Sequence, residues 1–166
     1  MKKTKNITHA AIIGAMYFAL THLQNLLLPG STTWVIQCRA AEALCVLALF
    51  TPAAVPGLTV GCLLFNVTSS AVLPLDFLVG SLATLLAAQV MRLCRRITIL
   101  GYPLPGMMMP ALTNAVLVGW ELSVYVGGGF WLNALYVALG ELAVLLVPGS
   151  VLYYAFRSRR LDKRLF

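Results

Sequence analysis

The chain has 166 residues, of which 60% are hydrophobic and only 10% are charged, and its formal net charge is +7. Because soluble domains carry about 25% charged residues, this composition excludes an ordinary water-soluble domain and indicates a protein that lies in a membrane. The positive charge does not indicate nucleic-acid binding, since the basic residues flank apolar runs and form no basic face with interleaved aromatics.

The apolar runs are long and continuous, as in transmembrane helices. A helix needs roughly 20 mostly apolar residues to cross the hydrocarbon core, so residues 1–166 allow six or seven crossings within one membrane domain. Proline and glycine divide the runs, and Thr51-Pro52 and Pro74 are typical helix starts. Pro148 predicts a bend in the last helix. The chain is therefore predicted to be all-α, with helices at about 7–28, 35–50, 52–70, 74–94, 107–126 and 130–156.

The distribution of basic residues predicts the topology. Eleven of the twelve belong to three clusters at the ends of apolar runs: Lys2, Lys3 and Lys5; Arg92, Arg95 and Arg96; Arg157, Arg159, Arg160, Lys163 and Arg164. Six crossings place all three clusters on one side, which the positive-inside rule identifies as the cytoplasm. We therefore expect both termini in the cytoplasm. The first run is too long for a signal peptide and is interpreted as a retained helix.

Polar residues inside the predicted spans are the main functional signal, because a charge in the membrane is costly. Four of the five acidic residues lie within the spans or at their ends, mostly toward the outer side. Asp76, two residues after Pro74, can also complement the helix dipole. The complete polar set is Gln37, Arg39, Glu42, Asn66, Asp76, Asn114, Glu121, Asn133 and Glu141.

Spacing assigns partners to only some of these side chains. Arg39 and Glu42 are three residues apart and can pair on one helix. Asn114 and Glu121 are seven apart and share a helix face. Glu121 and Glu141 have no basic residue one turn away on their own helices. Their spacing therefore predicts a ligand from outside that carries hydrogen-bond donors or a positive charge.

Two further patterns each have two interpretations. The aromatic side chains at the outer level form either an interfacial belt or a stacking surface for a ligand, and Trp131 beside Asn133 favours the ligand. They are Trp34, Phe77, Trp120, Tyr125, Phe130 and Trp131. Small residues four apart in the first helix, Ala11, Ala15 and Ala19, permit close approach of another helix. That helix can belong to this chain or to a partner.

Several catalytic and binding motifs are absent from the sequence. It contains no phosphate-binding GxxxxGK[ST] loop, no HExxH and no GxSxG, and its four cysteines form no CxxC pair. We therefore expect no cofactor, no metal site and no ATP hydrolysis by that route. An intramembrane enzyme and a purely structural membrane protein remain alternatives.

Five segments in order resemble the QueT family. They are 37–44 (QCRAAEAL), 49–58 (LFTPAAVPGL), 80–88 (GSLATLLAA), 114–121 (NAVLVGWE) and 130–142 (FWLNALYVALGEL). The resemblance implies a non-enzymatic substrate-binding subunit, the S-component, of an energy-coupling factor (ECF) importer. Its partners would be a transmembrane T-component and two cytoplasmic ATPase subunits, and its location would be the cytoplasmic membrane of a prokaryote. The substrate would be a queuosine precursor, a 7-deazaguanine such as queuine or its aminomethyl and cyano precursors. Another flat vitamin-like base is the alternative ligand. Cys38 departs from the bulkier apolar residue expected there.

The resemblance also implies roles for the polar set. A carboxylate, first Glu141 and then Glu121, would accept the adjacent N–H and amino hydrogens of the base. Arg39 would pair with Glu42 or donate to the base carbonyl. Further hydrogen bonds to the base would come from Asn133, Asn114 and Gln37, and the ring would stack on Trp131, Phe77 or Tyr125. An aminomethyl cation would be bound by Glu42 or Asp76. The T-component would dock on Ala11, Ala15 and Ala19.

Overall fold

The computed structural model describes residues 2–31, 38–69 and 73–159, and throughout these ranges the chain is helical without a strand. The predicted ligand candidate Gln37 and the aromatic Trp34 lie outside the described residues. The six α-helices are α1 (Lys2–Leu27), α2 (Ala54–Thr68), α3 (Asp76–Leu93), α4 (Leu104–Tyr125), α5 (Phe130–Val144) and α6 (Ser150–Ser158). A 3-10 helix, Ala40–Leu49, precedes α2, a short 3-10 turn, Cys94–Arg96, follows α3, and a π-helical turn, Leu145–Gly149, joins α5 to α6.

Four helical stretches are long and apolar enough to cross a membrane. They are Lys3–Leu27, Asp76–Arg96, Leu104–Tyr125 and Phe130–Ser158. The remaining two apolar helices, Ala40–Leu49 and Ala54–Thr68, are shorter. The all-helical prediction is thus confirmed for the described residues, and four of the six predicted crossings have the length and composition that a span requires.

The second predicted helix differs most from expectation. We predicted an α-helix over 35–50, whereas the structure has a 3-10 helix that begins at Ala40, after an extended Arg39. Its residues 41–48 are all buried, and α1, α2 and α3 pack around it. A 3-10 helix rises about 2 Å per residue, so ten residues cover roughly 20 Å. An apolar run that is buried on every side carries no periodicity from which the winding could be predicted.

Smaller shifts have local causes. α4 begins at Leu104, inside the predicted loop 101–106, because Pro105 is tolerated in the first turn, where a helix needs no N–H. At the predicted bend the helix forms the π-helical turn around Pro148, which lacks the N–H of a regular turn. Thr51 accepts the N–H of Ala53 through its hydroxyl at 3.3 Å, just before α2.

α1 and α2 pack with their backbones in contact. A Cβ atom added to Gly57 would lie 2.6 Å from the carbonyl oxygen of Ala10, and one added to Gly61 would lie 2.6 Å from that of Gly14. Small residues permit this approach. Ala10 and Gly14, two small residues one turn apart in α1, therefore pack against α2 of the same chain.

The two ends of the helix bundle differ in their polar groups. At the end where α3 finishes and α4 begins, Arg92 donates to the carbonyl of Ala48 at 3.2 Å, and Arg157 donates to the carbonyl of Gly101 at 3.2 Å. The exposed Arg95 and Arg96 lie at the same end, which we call the basic end. The opposite end is called the polar end.

The polar end is organised by Gln24 near the close of α1. Its amide nitrogen donates to the carbonyl of Cys38 at 2.5 Å, and its amide oxygen accepts the N–H of Ala40 at 2.7 Å. These bonds satisfy backbone groups at the start of the 3-10 helix, which has no side-chain cap of its own. Gln24 thereby fixes the backbone that leads to Arg39 and Glu42 against α1.

Candidate functional site

Most of the polar residues predicted from sequence are buried together inside the bundle. They come from the 3-10 helix region, α2, α3, α4 and α5, and each is at most 4% exposed: Arg39, Glu42, Asn66, Asp76, Asn114, Glu121, Asn133 and Glu141. Within the described residues Arg39 is the single buried basic side chain, so four carboxyl groups share one guanidinium. Buried charges are stable only when they are paired and hydrogen-bonded, and the individual contacts therefore decide what the cluster can bind.

Arg39 pairs with Asp76 of α3. Its guanidinium donates to Asp76 Oδ2 at 2.8 Å, and both side chains are buried. Asn66 of α2 reinforces the pair by donating to the backbone carbonyl of Asp76 at 2.8 Å. The spacing rule had suggested Glu42 as the partner, but Arg39 has extended backbone angles (φ −80°, ψ 102°), so the helical spacing rule does not govern its direction, and the described ion pair is with Asp76.

Glu42 is held by α1 instead. The hydroxyl of Tyr17 donates a short hydrogen bond to Glu42 Oε1, and the thiol of Cys45 donates to Oε2 at 3.0 Å. Tyr17 is fully buried and was missed by the sequence analysis. The sequence feature that could have identified Tyr17 is its position one turn after Gly14, on the same helix face, because a buried tyrosine hydroxyl needs a hydrogen-bond partner. With both oxygens occupied, Glu42 is a structural link between α1 and the 3-10 helix.

Glu141 and Asn114 join α5 to α4. The side-chain nitrogen of Asn114 donates to Glu141 Oε1 at 2.9 Å, while Glu141 Oε2 is buried and has no partner among the described residues. Arg39 and Glu42 are near enough for their charges to act on Glu141. The thiol of Cys38 lies 4.0 Å from the carbonyl of Gly140, beside this pair. One carboxylate oxygen of Glu141 is therefore available to an incoming donor.

Glu121 is the least satisfied side chain of the cluster. It is 1% exposed, and neither of its carboxyl oxygens has a hydrogen-bond partner within the described part of the chain. The charges of Asp76 and Arg39 act on it. Two turns, about 10 Å, separate Glu121 from Asn114 along α4. The site therefore contains two acceptors, at Glu141 and Glu121, that are placed apart on one side of the bundle.

A protein-family model for the QueT transporter matches residues 7–158, nearly the whole chain.

The chain belongs to the QueT transporter family.

No curated protein and no solved structure matches it. The family assignment accounts for the membrane-type composition and makes this QueT protein a component of a membrane transport system. Across residues 2–31, 38–69 and 73–159, no three His, Cys, Asp or Glu side chains are grouped so that they could hold a metal ion.

The aromatic candidates of this QueT protein do not join the buried cluster. Trp131 is 83% exposed and contacts Phe130 edge to face, and Tyr125 is also exposed. Asn133 is buried, but its side-chain nitrogen donates to the carbonyl of Gly127 at 2.9 Å, which holds the turn before α5. Trp131 and Tyr125 therefore do not stack within the buried cluster in this structure.

Phe77 is the aromatic candidate with a connection to the cluster. It lines a cleft of about 410 Å³ at the polar end, together with Asn66, Val67, Ser69, Leu73 and Pro74. This volume lies within the range of small-molecule sites. Because Asn66 lines the cleft and also bonds Asp76, the cleft adjoins the buried polar groups.

The predicted docking residues lie on the outside of the QueT bundle. Ala11, Ala15 and Ala19 are exposed, in contrast to Gly14, which faces α2. Ala11 and Ala15 line an apolar groove of about 510 Å³ between α1 and α2. The two small-residue patterns of α1 thus serve two different faces.

Proposed function

We propose that this QueT protein is the substrate-binding S-component of an ECF importer and captures a 7-deazaguanine precursor of queuosine. The observation that carries the proposal is the buried Glu141–Asn114 pair, whose second carboxylate oxygen has no partner among the described residues. The membership of the QueT transporter family supports import as the process. The queuosine-type substrate is what the name of the family suggests.

The chemistry of the base fits this pair. A guanine-like ring presents an N–H and an amino group side by side, and a carboxylate accepts both in charge-assisted hydrogen bonds. In our proposal Glu141 takes this edge, and Asn114 fixes the orientation of the carboxylate. Burial makes the recognition selective, because a base without these donors would leave Glu141 unsatisfied in the bundle.

The proposed topology has six crossings with both termini in the cytoplasm, so that the polar end faces outside. The basic end carries the exposed arginines, which the positive-inside rule assigns to the cytoplasm. In this topology the short 3-10 helix and α2 are the second and third crossings. Labelling with an impermeant maleimide tests this: Gly129→Cys, at an open position with an ordinary backbone conformation, should react on intact cells, and Leu100→Cys only after permeabilisation. The reverse pattern would refute the orientation.

We propose that the exposed alanine face of α1 docks the T-component, which would link the S-component to two ATPase subunits. The groove beside Ala11 and Ala15 offers close approach to another helix. Ala15→Trp should abolish copurification with the T-component and the ATPases while leaving ligand binding in detergent unchanged. Leu132→Trp, at an exposed position on α5, is the control. Equal copurification of both variants with wild type would argue against this face.

The direct test is thermal unfolding of the purified protein in detergent with queuine, its aminomethyl and cyano precursors, guanine, thiamine and riboflavin. A ligand at about a hundred times its dissociation constant stabilises the folded state by about 2.7 kcal/mol. We expect stabilisation by 7-deazaguanines and none by thiamine or riboflavin. If only another flat base stabilised the protein, that base would become the proposed substrate. If none of the compounds stabilised folded protein, the proposal would be rejected.

A further inference from the structure

Most of the buried polar atoms without partners lie on α2, α3 and α4, where α3 packs against both of the other helices. Five of the six buried side-chain oxygens that lack a hydrogen-bond partner in the described ranges belong to these helices, and the sixth belongs to Glu141 of α5. They are Asn66 Oδ1, Asp76 Oδ1, Ser81 Oγ, Glu121 Oε1 and Glu121 Oε2. All five can accept hydrogen bonds, and a hydroxyl is the single one among them that can also donate. Such a set is suited to a group that only donates.

The absence of a side chain at Gly80 of α3 permits the close packing of Asp76 and Asn66. Gly80 lies beside the side chains of Asp76 and Asn66, and a Cβ atom there would stand 2.9 Å from the Asn66 side-chain nitrogen. Ser81 follows directly and is buried. α3 packs along α4, which carries Glu121, and the charge of Asp76 acts on Glu121. The unpartnered oxygens of Asp76 and Glu121 therefore belong to one region where α3 packs on α4, and Asn66 of α2 lies beside Asp76.

The charge balance of this region is negative. Asp76 and Glu121 are the two carboxyl groups there, and Arg39 engages Oδ2 of Asp76. A second positive charge would neutralise Glu121 and give its oxygens partners, whereas a neutral ligand would leave a buried carboxylate uncompensated.

We propose that Glu121, with Asp76 and Ser81, forms a second subsite that binds a positively charged group. It lies about 10 Å along α4 from the level of Asn114, which bonds Glu141. The inference deepens the proposed function, on which it rests for the identity of the base. The positive group is either an ammonium carried by the substrate or an alkali cation bound beside a neutral substrate. Both present the same charge to the same oxygens.

The experiment compares two 7-deazaguanines that differ in charge, the cationic aminomethyl and the neutral cyano precursor. Their affinities are measured by calorimetry in sodium, potassium and choline buffers. Glu121→Gln keeps the shape and removes the charge, and Ser123→Ala, a partly exposed residue of the same helix, is the matched control. Ser81→Ala provides a milder second variant.

If the positive group is a substrate ammonium, the wild type should bind the aminomethyl base about tenfold or more tightly than the cyano base, because a charge-assisted hydrogen bond contributes about that much. Glu121→Gln should remove that preference while binding of the cyano base stays within about twofold, and Ser81→Ala should reduce it in part. An alkali cation predicts instead that sodium or potassium strengthens binding of the cyano base over choline, and that Glu121→Gln removes this dependence. Unchanged preference and unchanged ion dependence in folded Glu121→Gln would overturn the subsite.

Failure of the proposed function gives a different pattern. In that case neither deazaguanine binds wild type in any buffer. Thermal unfolding with sodium, potassium and choline chloride alone then judges the subsite: stabilisation by an alkali ion that Glu121→Gln loses supports it, and equal unfolding temperatures of wild type and variant overturn it.

Discussion

Arg39→Met is expected to lower the free energy of unfolding by about 3–5 kcal/mol, because it leaves Asp76 as an unpaired charge inside the bundle. The guanidinium lies 2.8 Å from Asp76 Oδ2, and both side chains are almost completely buried. Removing one partner of a buried pair is far more destabilising than replacing both. Arg39→Met combined with Asp76→Leu should therefore recover much of the loss. The measurement is thermal unfolding of the ligand-free protein in detergent.

The control for this prediction is Arg95→Met, which removes an exposed arginine at the basic end and should change stability by less than about 0.5 kcal/mol. A double variant as unstable as the sum of its single variants would contradict the assignment of Asp76 as the partner. A loss of stability in Arg39→Met no larger than in Arg95→Met would contradict the burial of the charge.

Glu141→Gln is expected to weaken binding of a 7-deazaguanine by about 1.5–3 kcal/mol, the usual contribution of a hydrogen bond to a charged group. That is roughly a tenfold to hundredfold increase in the dissociation constant. The substituted amide keeps an oxygen that can accept from Asn114, so the variant should remain folded. It loses the second acceptor and presents an N–H₂ group to the N–H edge of the base. Calorimetry on wild type and variant gives the ratio.

Thr113→Val is the matched control, since Thr113 neighbours Asn114 but its hydroxyl donates to the carbonyl of Met109 at 3.0 Å. Its affinity should equal that of wild type. If Glu141→Gln bound the base as tightly as Thr113→Val, Glu141 would be a structural acid and the base would have to be sought elsewhere. A variant that binds normally but loses import would assign Glu141 to the transport cycle instead.

The helices could largely be predicted from the sequence, and their contacts could not. Apolar length and the positions of proline and glycine predicted the helical runs, because these follow from local backbone chemistry. The cost of charge in a membrane directed attention to Glu42, Asp76, Glu121 and Glu141, and the structure buries all four. The 3-10 winding of Ala40–Leu49 was missed because residues 41–48 are buried on every side, so hydrophobic periodicity gives no information about the winding.

The partners within the site depend on packing between distant segments. Arg39 and Asp76 are separated by 37 positions, and Tyr17 and Glu42 by 25, so no helical spacing rule relates them. Local spacing instead suggested Arg39 with Glu42. The choice between belt and ligand for Trp131 likewise depends on which way the start of α5 faces, which is decided by the bond from Asn133 to the glycine turn.

Substitutions at neighbouring positions of α1 are expected to affect different properties, either folding of the chain or docking of the partner. A side chain at Gly14 would meet the carbonyl oxygen of Gly57, so substitutions there are detected when variants are scored by folding alone. Ala15 is exposed on the outer face of α1, so a larger side chain there is expected to be tolerated in that assay, although in the proposed complex the T-component would reject it. A survey of α1 variants scored once by folding in detergent and once by growth on the imported base would therefore disagree at one position per turn. The positions of disagreement would trace the partner's footprint without a structure of the complex.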